Sequence, residues 1–291
     1  MSRFTRTTAF ALILFAAPAL AASLPTATAP EKVVGSDGEQ ALPAKVAIMP
    51  HRAIYEMSLG SVKNGSNIAS VSGRMMFEWS DVCDGWAVQQ HLKLHFSYAE
   101  GEESDVTSTE LTWESKDGKQ YNYNIRRITD GKETEFYKGK ATVGDEGGTA
   151  VYTNPASKTV KLPPGTLFPS AHTVLILQKA LSGDHFFTRR VFDGSDEVGS
   201  DDVSVFIDPP QAHWLETEAN PKLKESPLLA QTAWPVRMAF FKIDADTSVP
   251  DYEMGLTLLS NGVARSMRID YGDFSVVGDL KAIEPLPAPH C

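Results

Sequence analysis

Apolar and polar residues alternate with a period of two along most of this chain, the signature of half-buried β-strands. In QYNYNIRRI, Tyr121, Tyr123, Ile125 and the stem of Arg127 share one face, while Gln120, Asn122, Asn124 and Arg126 share the other. GWAVQQHLKLHFSY repeats the pattern, with Trp86, Val88, Gln90, Leu92, Leu94, Phe96 and Tyr98 along one side. PVRMAFFKI and YEMGLTLLSNGVARSMRIDY continue it toward the C-terminus. Asp-Gly or Asn-Gly dipeptides begin at Asp37, Asn64, Asp84, Asp117, Asp130, Asp193 and Asn261, and all but the first separate such segments. Asp and Asn followed by Gly accept the positive φ of tight hairpin turns, so the pattern predicts a mainly β chain built as a long antiparallel meander.

One segment departs from the alternation. FPSAHTVLILQKALSG places Val174, Leu177 and Leu181 on one stripe, begins at Pro169 with Ser170 as the N-cap, and closes at Gly183. These features predict one main helix. The stiff connector LPPGTLFP before it joins two halves of the sheet near residues 162–170, and ETEANPKLKESPLLAQ reads as an exposed loop or short helix. No repeat at a solenoid period is visible.

The N-terminus sets the compartment. MSRFTRTTAFALILFAAPALAAS carries Arg3 and Arg6, an apolar run from Ala9 to Ala17, and the small-x-small sequence Ala19-Leu20-Ala21. This is the layout of a secretory signal peptide over 1–22, cleaved near Ala21 or Ala22. The run is shorter than the roughly 20 residues a spanning helix needs, so the mature chain is expected in the periplasm without a transmembrane segment. Residues 23–45 are rich in Pro, Ala, Thr and Ser without periodicity and read as a flexible tail, leaving 46–291 as a single β domain. The chain has 27 basic and 37 acidic residues. Without Arg3 and Arg6 its charge is about −12, which argues against nucleic acid as a partner.

Candidate chemistry is sparse. His91 and His95 lie four apart in a predicted strand and share the face opposite the apolar stripe, but no third ligand stands at a metal-binding spacing. No metal or other cofactor is expected. Ser170 and His172 invite a nucleophile-and-base reading, yet no nucleophile-elbow motif surrounds them. The acidic stretches DGSDEVGSDD (193–202) and DADTS (244–248) lack the glycine and closing glutamate of a calcium loop and read as polar hairpin tips. Trp79, Trp86, Trp113, Trp214 and Trp234, with Met75, Met76 and Met238, are mostly core. On a curved sheet that does not close, some of them would line a concave apolar face.

The two cysteines are Cys83, beside the Asp84-Gly85 turn, and Cys291, at the end of the proline-rich IEPLPAPHC. In an exported protein such a pair points to a bridge, with free thiols and intermolecular pairing as the alternatives. A bridge between them would tie the last segment to the hairpin and remove on the order of 5 kcal/mol of unfolded-state entropy.

The segments PHRAIYEMSL (50–59), VSGRMMFEWSDVCDGW (71–86), GEESDVTSTELTWESKDGK (101–119), LPPGTLFPSAHT (162–173) and VFDGSDEVGSDDVSVFI (191–207) together resemble the EipB-like family of periplasmic cell-envelope integrity proteins. The resemblance implies a β-spiral, an antiparallel sheet curved like a broken barrel with a helix against it. It also implies a disulfide on Cys83 and Cys291, and no catalytic residues. The expected function is that of a non-enzymatic protein that supports the envelope by binding a periplasmic protein partner, a helical-repeat protein among the candidates, or a lipid or peptidoglycan-related ligand on its concave face. A carrier of lipid or lipoprotein acyl chains is the alternative reading, and an envelope hydrolase using His172 or His91 is a further one.

Overall fold

The computed structural model describes residues 46–156, 158–243, 248–287, 289 and 291. The expected signal peptide (1–22) and tail (23–45), the Asp37 dipeptide and all of DADTS except Ser248 lie outside them. The N-terminal strands are β1 (His51–Val62), β2 (Ile68–Asp81), β3 (Gly85–Tyr98), β4 (Glu103–Ser115), β5 (Gln120–Thr129), β6 (Lys132–Gly144), β7 (Gly147–Asn154) and β8 (Lys158–Leu162). Helix α1 (Pro169–Ser182) follows, then β9 (Phe186–Val191), β10 (Asp201–Ile207), the short helix α2 (Pro221–Lys224), β11 (Ala233–Lys242), β12 (Tyr252–Leu259), β13 (Ala264–Asp270) and β14 (Phe274–Pro285).

All fourteen strands belong to one sheet ordered β8-β7-β6-β5-β4-β3-β2-β1-β14-β13-β12-β11-β10-β9. The chain steps outward from β1 to the β8 edge, crosses by α1 to the opposite edge at β9, and steps back until β14 pairs with β1. Met57 then stands opposite Gly278, and Arg52 opposite Glu284. Segment 162–170 therefore connects the two edges of a single sheet. The alternating pattern succeeds because each antiparallel step needs only a tight turn. Asn64-Gly65, Asp117-Gly118, Asp130-Gly131 and Asn261-Gly262 all fall between consecutive strands, with positive φ at each glycine. The Asp84-Gly85 turn works differently. There Cys83 itself takes the left-handed conformation (φ 69°), and Gly85 lies under Trp113, where a Cβ would meet the indole nitrogen at 2.3 Å.

The sheet curls until residues near one edge meet those near the other. The Tyr121 hydroxyl donates to the Asp193 carbonyl (3.0 Å), the Tyr152 hydroxyl to the Asp196 carbonyl (2.5 Å), and Lys158 pairs with Glu197 at 2.8 Å. Connection 192–200, which opens with the Asp193-Gly194 dipeptide, thus plugs the inner face of β5 to β8. Around it Tyr121, Tyr123, Tyr152, Phe168 and Phe192 form a buried aromatic cluster. Burying each such ring contributes on the order of 1.5–3 kcal/mol. The β8 and β9 edges are not paired with each other, so the sheet remains an open spiral. Leu167 fills part of the gap, its N–H donating to Arg190 O and its carbonyl accepting from Phe192 N.

Helix α1 lies across the concave face, burying Ile176, Leu177 and Ala180 against Trp79, Val203, Trp234 and Val236. Two expectations for it fail. Leu181 is 44 % exposed, because the buried stripe runs through Ile176, Leu177 and Ala180. Ser170 is not the cap either: Phe168 holds the N-cap position without a side-chain bond. The cap comes from β4 instead. The Glu114 carboxylate accepts from Ser170 N (2.7 Å) and Ala171 N (2.8 Å), satisfying two of the helix's unpaired donors across 56 and 57 residues of sequence. Gly183 closes the helix as expected, in a left-handed conformation.

Cys83 and Cys291 form a disulfide (S–S 2.03 Å) across a sequence separation of 208. Cys291→Ser is expected to lower the free energy of unfolding by about 2–5 kcal/mol, because the released loop regains entropy mainly in the unfolded state. Urea denaturation of both proteins, with and without reductant, tests this. A reductant-insensitive midpoint in the parent protein would contradict it.

Burial pushes the Glu114 carboxyl up to about 7 from its ordinary 4.5, outweighing the two N–H bonds. Its folded-state pKa thus lies above the unfolded one. The group's favourable contribution is complete below pH 4.5 and lost as pH rises through 7, up to about 3 kcal/mol in all. Glu114→Gln is expected to match the parent near pH 5 and exceed its stability at pH 8, in denaturation curves recorded across that range. A variant that loses more stability at pH 8 than at pH 5 would show the ionised cap to be the stronger effect.

Candidate functional site

Alternation along β4 turns Ser108, Glu110, Thr112 and Glu114 inward, toward the same space as Tyr121, Tyr123, Ile125 and Arg127 on β5, which they face in register. At the α1 end this space is filled by the helix and the aromatic cluster. Toward Glu110 the packing is looser, and Glu110 is only partly buried. The Arg127 guanidinium pairs with Glu135 at 2.6 Å on this wall. The opposing wall, from β11 to β14, carries Phe240 stacked on Tyr252 (4.3 Å between ring centroids) and Tyr271 stacked on Phe274 (5.2 Å), with Phe96 edge-on to Phe274.

Glu110 is the chemically distinctive group of this mouth. Its carboxyl is pushed up to about 7, by burial first and by the Asp193 charge second, with Arg127 opposing both. Yet its side chain keeps accessible surface. A group surrounded by protein but still touching solvent lies on the wall of a concavity rather than in a packed core. Tyr271 behaves alike: its hydroxyl pKa is raised by burial although the residue is 48 % exposed. Across the mouth Lys242 binds Asp196 (2.5 Å) and Asp201 (2.9 Å), holding connection 192–200 in place. Such a site can receive a cation or a hydrogen-bonding group on Glu110 and an apolar or ring-shaped group on the aromatic wall.

The residues singled out from sequence lie elsewhere. His91 and His95 share the face expected, but His91 contacts Thr109 (3.3 Å) and His95 contacts Asp105 (3.1 Å). Ser170 and His172 both lie on the buried side of α1 and share no hydrogen bond among the described residues. Burial, then Arg189, lowers the His172 imidazole to about 4, and its ring packs on Phe187. Asp193, Asp196 and Glu197 are tied into the core and the mouth rather than forming a free polar tip. Trp79, Trp234, Met238, Trp214 and Met75 are core residues, and Trp86 packs partly against them under Lys116, whose Nζ is 2.9 Å from the ring centroid. Met76 pairs in register with Ile54 on the outer face, away from the concave side. Glu110 and Glu114 escaped sequence reasoning because a carboxylate at an inward position carries no motif. The inward positions of β4, Ser108, Glu110, Thr112 and Glu114, are all polar, so alternation gave no signal there either.

An open, curled antiparallel sheet with one helix laid across its concave face defines this protein's class, and the comparisons agree. The EipB-like family model matches residues 43–287. The chain belongs to the EipB-like family. It is 26% identical over 252 residues to the cell envelope integrity protein EipB of Brucella abortus (strain 2308), covering 86% of this chain and 89% of that protein. It is also similar to a crystal structure described as a beta-barrel-like protein of domain of unknown function DUF1849 from Brucella abortus. There the TM-score is 0.76 at 26% identity, over 84% of this chain and 100% of that one. Among the described residues no helix is long and apolar enough to cross a membrane.

The Glu110 carboxyl is expected to titrate near 7 by carbon-detected NMR. Asp193→Asn should lower the midpoint and Arg127→Gln should raise it. A midpoint in the ordinary carboxylate range, unmoved by either change, would remove Glu110 from the site.

Proposed function

We propose that this chain is a non-enzymatic protein of the periplasm that supports cell-envelope integrity by binding a protein partner or an envelope component at the concave mouth lined by Glu110, Arg127, Tyr252 and Tyr271. The reading includes removal of residues 1–22 and a single β domain from residue 46 onward. The observation that carries it is the similarity, across 86% of the chain, to a protein named for envelope integrity. The geometry supports binding over catalysis. The Ser170 and His172 side chains that a hydrolase would use are buried, and Glu114 is engaged with the helix N-terminus.

The acyl-carrier alternative has less support. A carrier needs an open apolar lining on the concave face, whereas here α1 covers one part and Trp214, Leu223 and Leu229 pack over another. The polar, aromatic mouth that remains suits a peptide or a ring-bearing group better than an alkyl chain. In a bacterium deleted for its own EipB-like protein, the full chain is expected to restore growth on a bile-salt detergent, while a version lacking residues 1–22 is not. Equal rescue by both versions would sink the periplasmic assignment, and rescue by neither would sink the envelope role.

A further inference from the structure

On the outer face, β10 to β14 carry a row of residues in strict register. Phe206 stands opposite Arg237, Arg237 opposite Gly255, Gly255 opposite Arg268, and Arg268 opposite Val277. Their neighbours Val236, Met238, Met254 and Leu256 belong to the core, so alternation turns this row outward. Two arginines thus flank a position without a side chain, their Cα atoms roughly 10 Å apart across two strand spacings. Arg237 is 68% exposed, 3.7 Å from Asp208 and stacked over Phe206. Arg268 donates to Ser61 and has no carboxylate partner among the described residues. Grooves of about 260 and 370 Å³ run up to Gly255 from its two sides, both walled by the two arginines.

The fold itself does not require this glycine. At Gly60, Gly73, Gly139, Gly148 and Gly278 an added Cβ would come closer than 3 Å to another atom. At Gly255 the nearest atoms would be Arg268 Cβ at 3.9 Å and Val236 O at 4.0 Å, ordinary contacts, and its φ is not positive. Register is unbroken from Glu253 to Thr257 on both sides, so no bulge is formed there. A strand glycine needed by neither a bulge nor internal packing leaves room for close approach by another chain.

The adjoining rows carry the opposite charge. One row along, Glu253 stands directly opposite Asp270, an arrangement unfavourable without a cation between them. One row the other way, Asp279 stands opposite Ser266, with Asp208 beside Pro235. Rows on one face repeat at roughly 7 Å along a strand, the same interval at which an extended peptide repeats side chains on one side.

We propose that this strip binds an extended, alternately charged peptide segment of a protein partner lying along β12. Its acidic side chain sits over Gly255 between Arg237 and Arg268, and a basic side chain two residues away sits over Glu253 and Asp270. A second base on the other side faces Asp208 and Asp279. A polyanion fits poorly, since its neighbouring charges would meet carboxylates. The proposal rests on the partner-binding reading above and names a surface and partner chemistry for it.

The test is an NMR titration of the 15N-labelled protein with acetyl-Lys-Ser-Glu-Ser-Lys-amide, its Glu-to-Gln analogue and the charge-swapped Glu-Ser-Lys-Ser-Glu. The first peptide is expected to shift the Gly255 amide and the Arg237 and Arg268 side-chain signals and to bind at least about ten-fold tighter than the Gln analogue. Non-specific attraction to an acidic protein would favour the more cationic analogue instead. Gly255→Val, whose Cβ would meet no atom closer than 3.9 Å and whose side chain points outward, should keep the melting temperature and abolish binding. Arg237→Gln, at an exposed position, should also abolish it. Equal binding of the Gln analogue, retained binding in Gly255→Val, or shifts away from this row overturn the proposal. Peptide failure alongside intact envelope rescue overturns this site alone.

Discussion

The pairing of β1 with β14 holds the rest of the structure together. Each hairpin step elsewhere joins strands that are neighbours in sequence, but here His51 to Val62 meets Phe274 to Pro285 across nearly the whole chain. Closing so large a loop carries an entropy cost that grows only slowly with length, and a long ladder of backbone hydrogen bonds offsets it. Arg52 marks the junction by reaching both ways, to Glu78 on β2 and Glu284 on β14. The disulfide between Cys83 and Cys291 anchors the segment just beyond β14 to the β2–β3 hairpin. With the two meanders fused in mid-sheet, their free edges are left at β8 and β9, and right-handed strand twist curls those edges toward each other.

That curl decides which surfaces remain for function. Connection 192–200 and α1 fill the concave side, so most of the aromatic and methionine residues that could have lined a ligand groove are spent as core. What stays open is the mouth, where an inward carboxylate at Glu110 and the aromatic wall of Tyr252 and Tyr271 meet solvent. Among the described residues the outer face has no such covering. Its charges are arranged in rows because strict register carries the sequence of each strand across to its neighbour.

Much of this is legible in the sequence. The period-two alternation and the Asp-Gly and Asn-Gly turns placed the strands, since the backbone of a hairpin turn restricts residue choice within two positions. The helix was visible through Pro169 and Gly183. Its N-cap was misassigned to Ser170 because local rules see only nearby residues, and the actual cap, Glu114, lies on another strand. Leu181 was expected inward for a related reason: three apolar positions fit a stripe, but which part of the stripe faces the core depends on where β10 and β11 lie. Local turn rules put the left-handed element at Asp84-Gly85, whereas Cys83 takes that role and Gly85 is needed for room under Trp113.

By itself the sequence determined the secondary structure, the antiparallel meander and the acidic surface charge, because periodicity, turn chemistry and composition act over a few residues at a time. Its resemblance to a known family added the spiral. Only the tertiary structure decided that β14 joins β1, that Glu114 caps α1, that Glu110 faces an open mouth, and that Arg237, Gly255 and Arg268 share one row. Each of these depends on register between strands far apart in the chain, and register is set by the packing of the whole sheet rather than by any local run of residues.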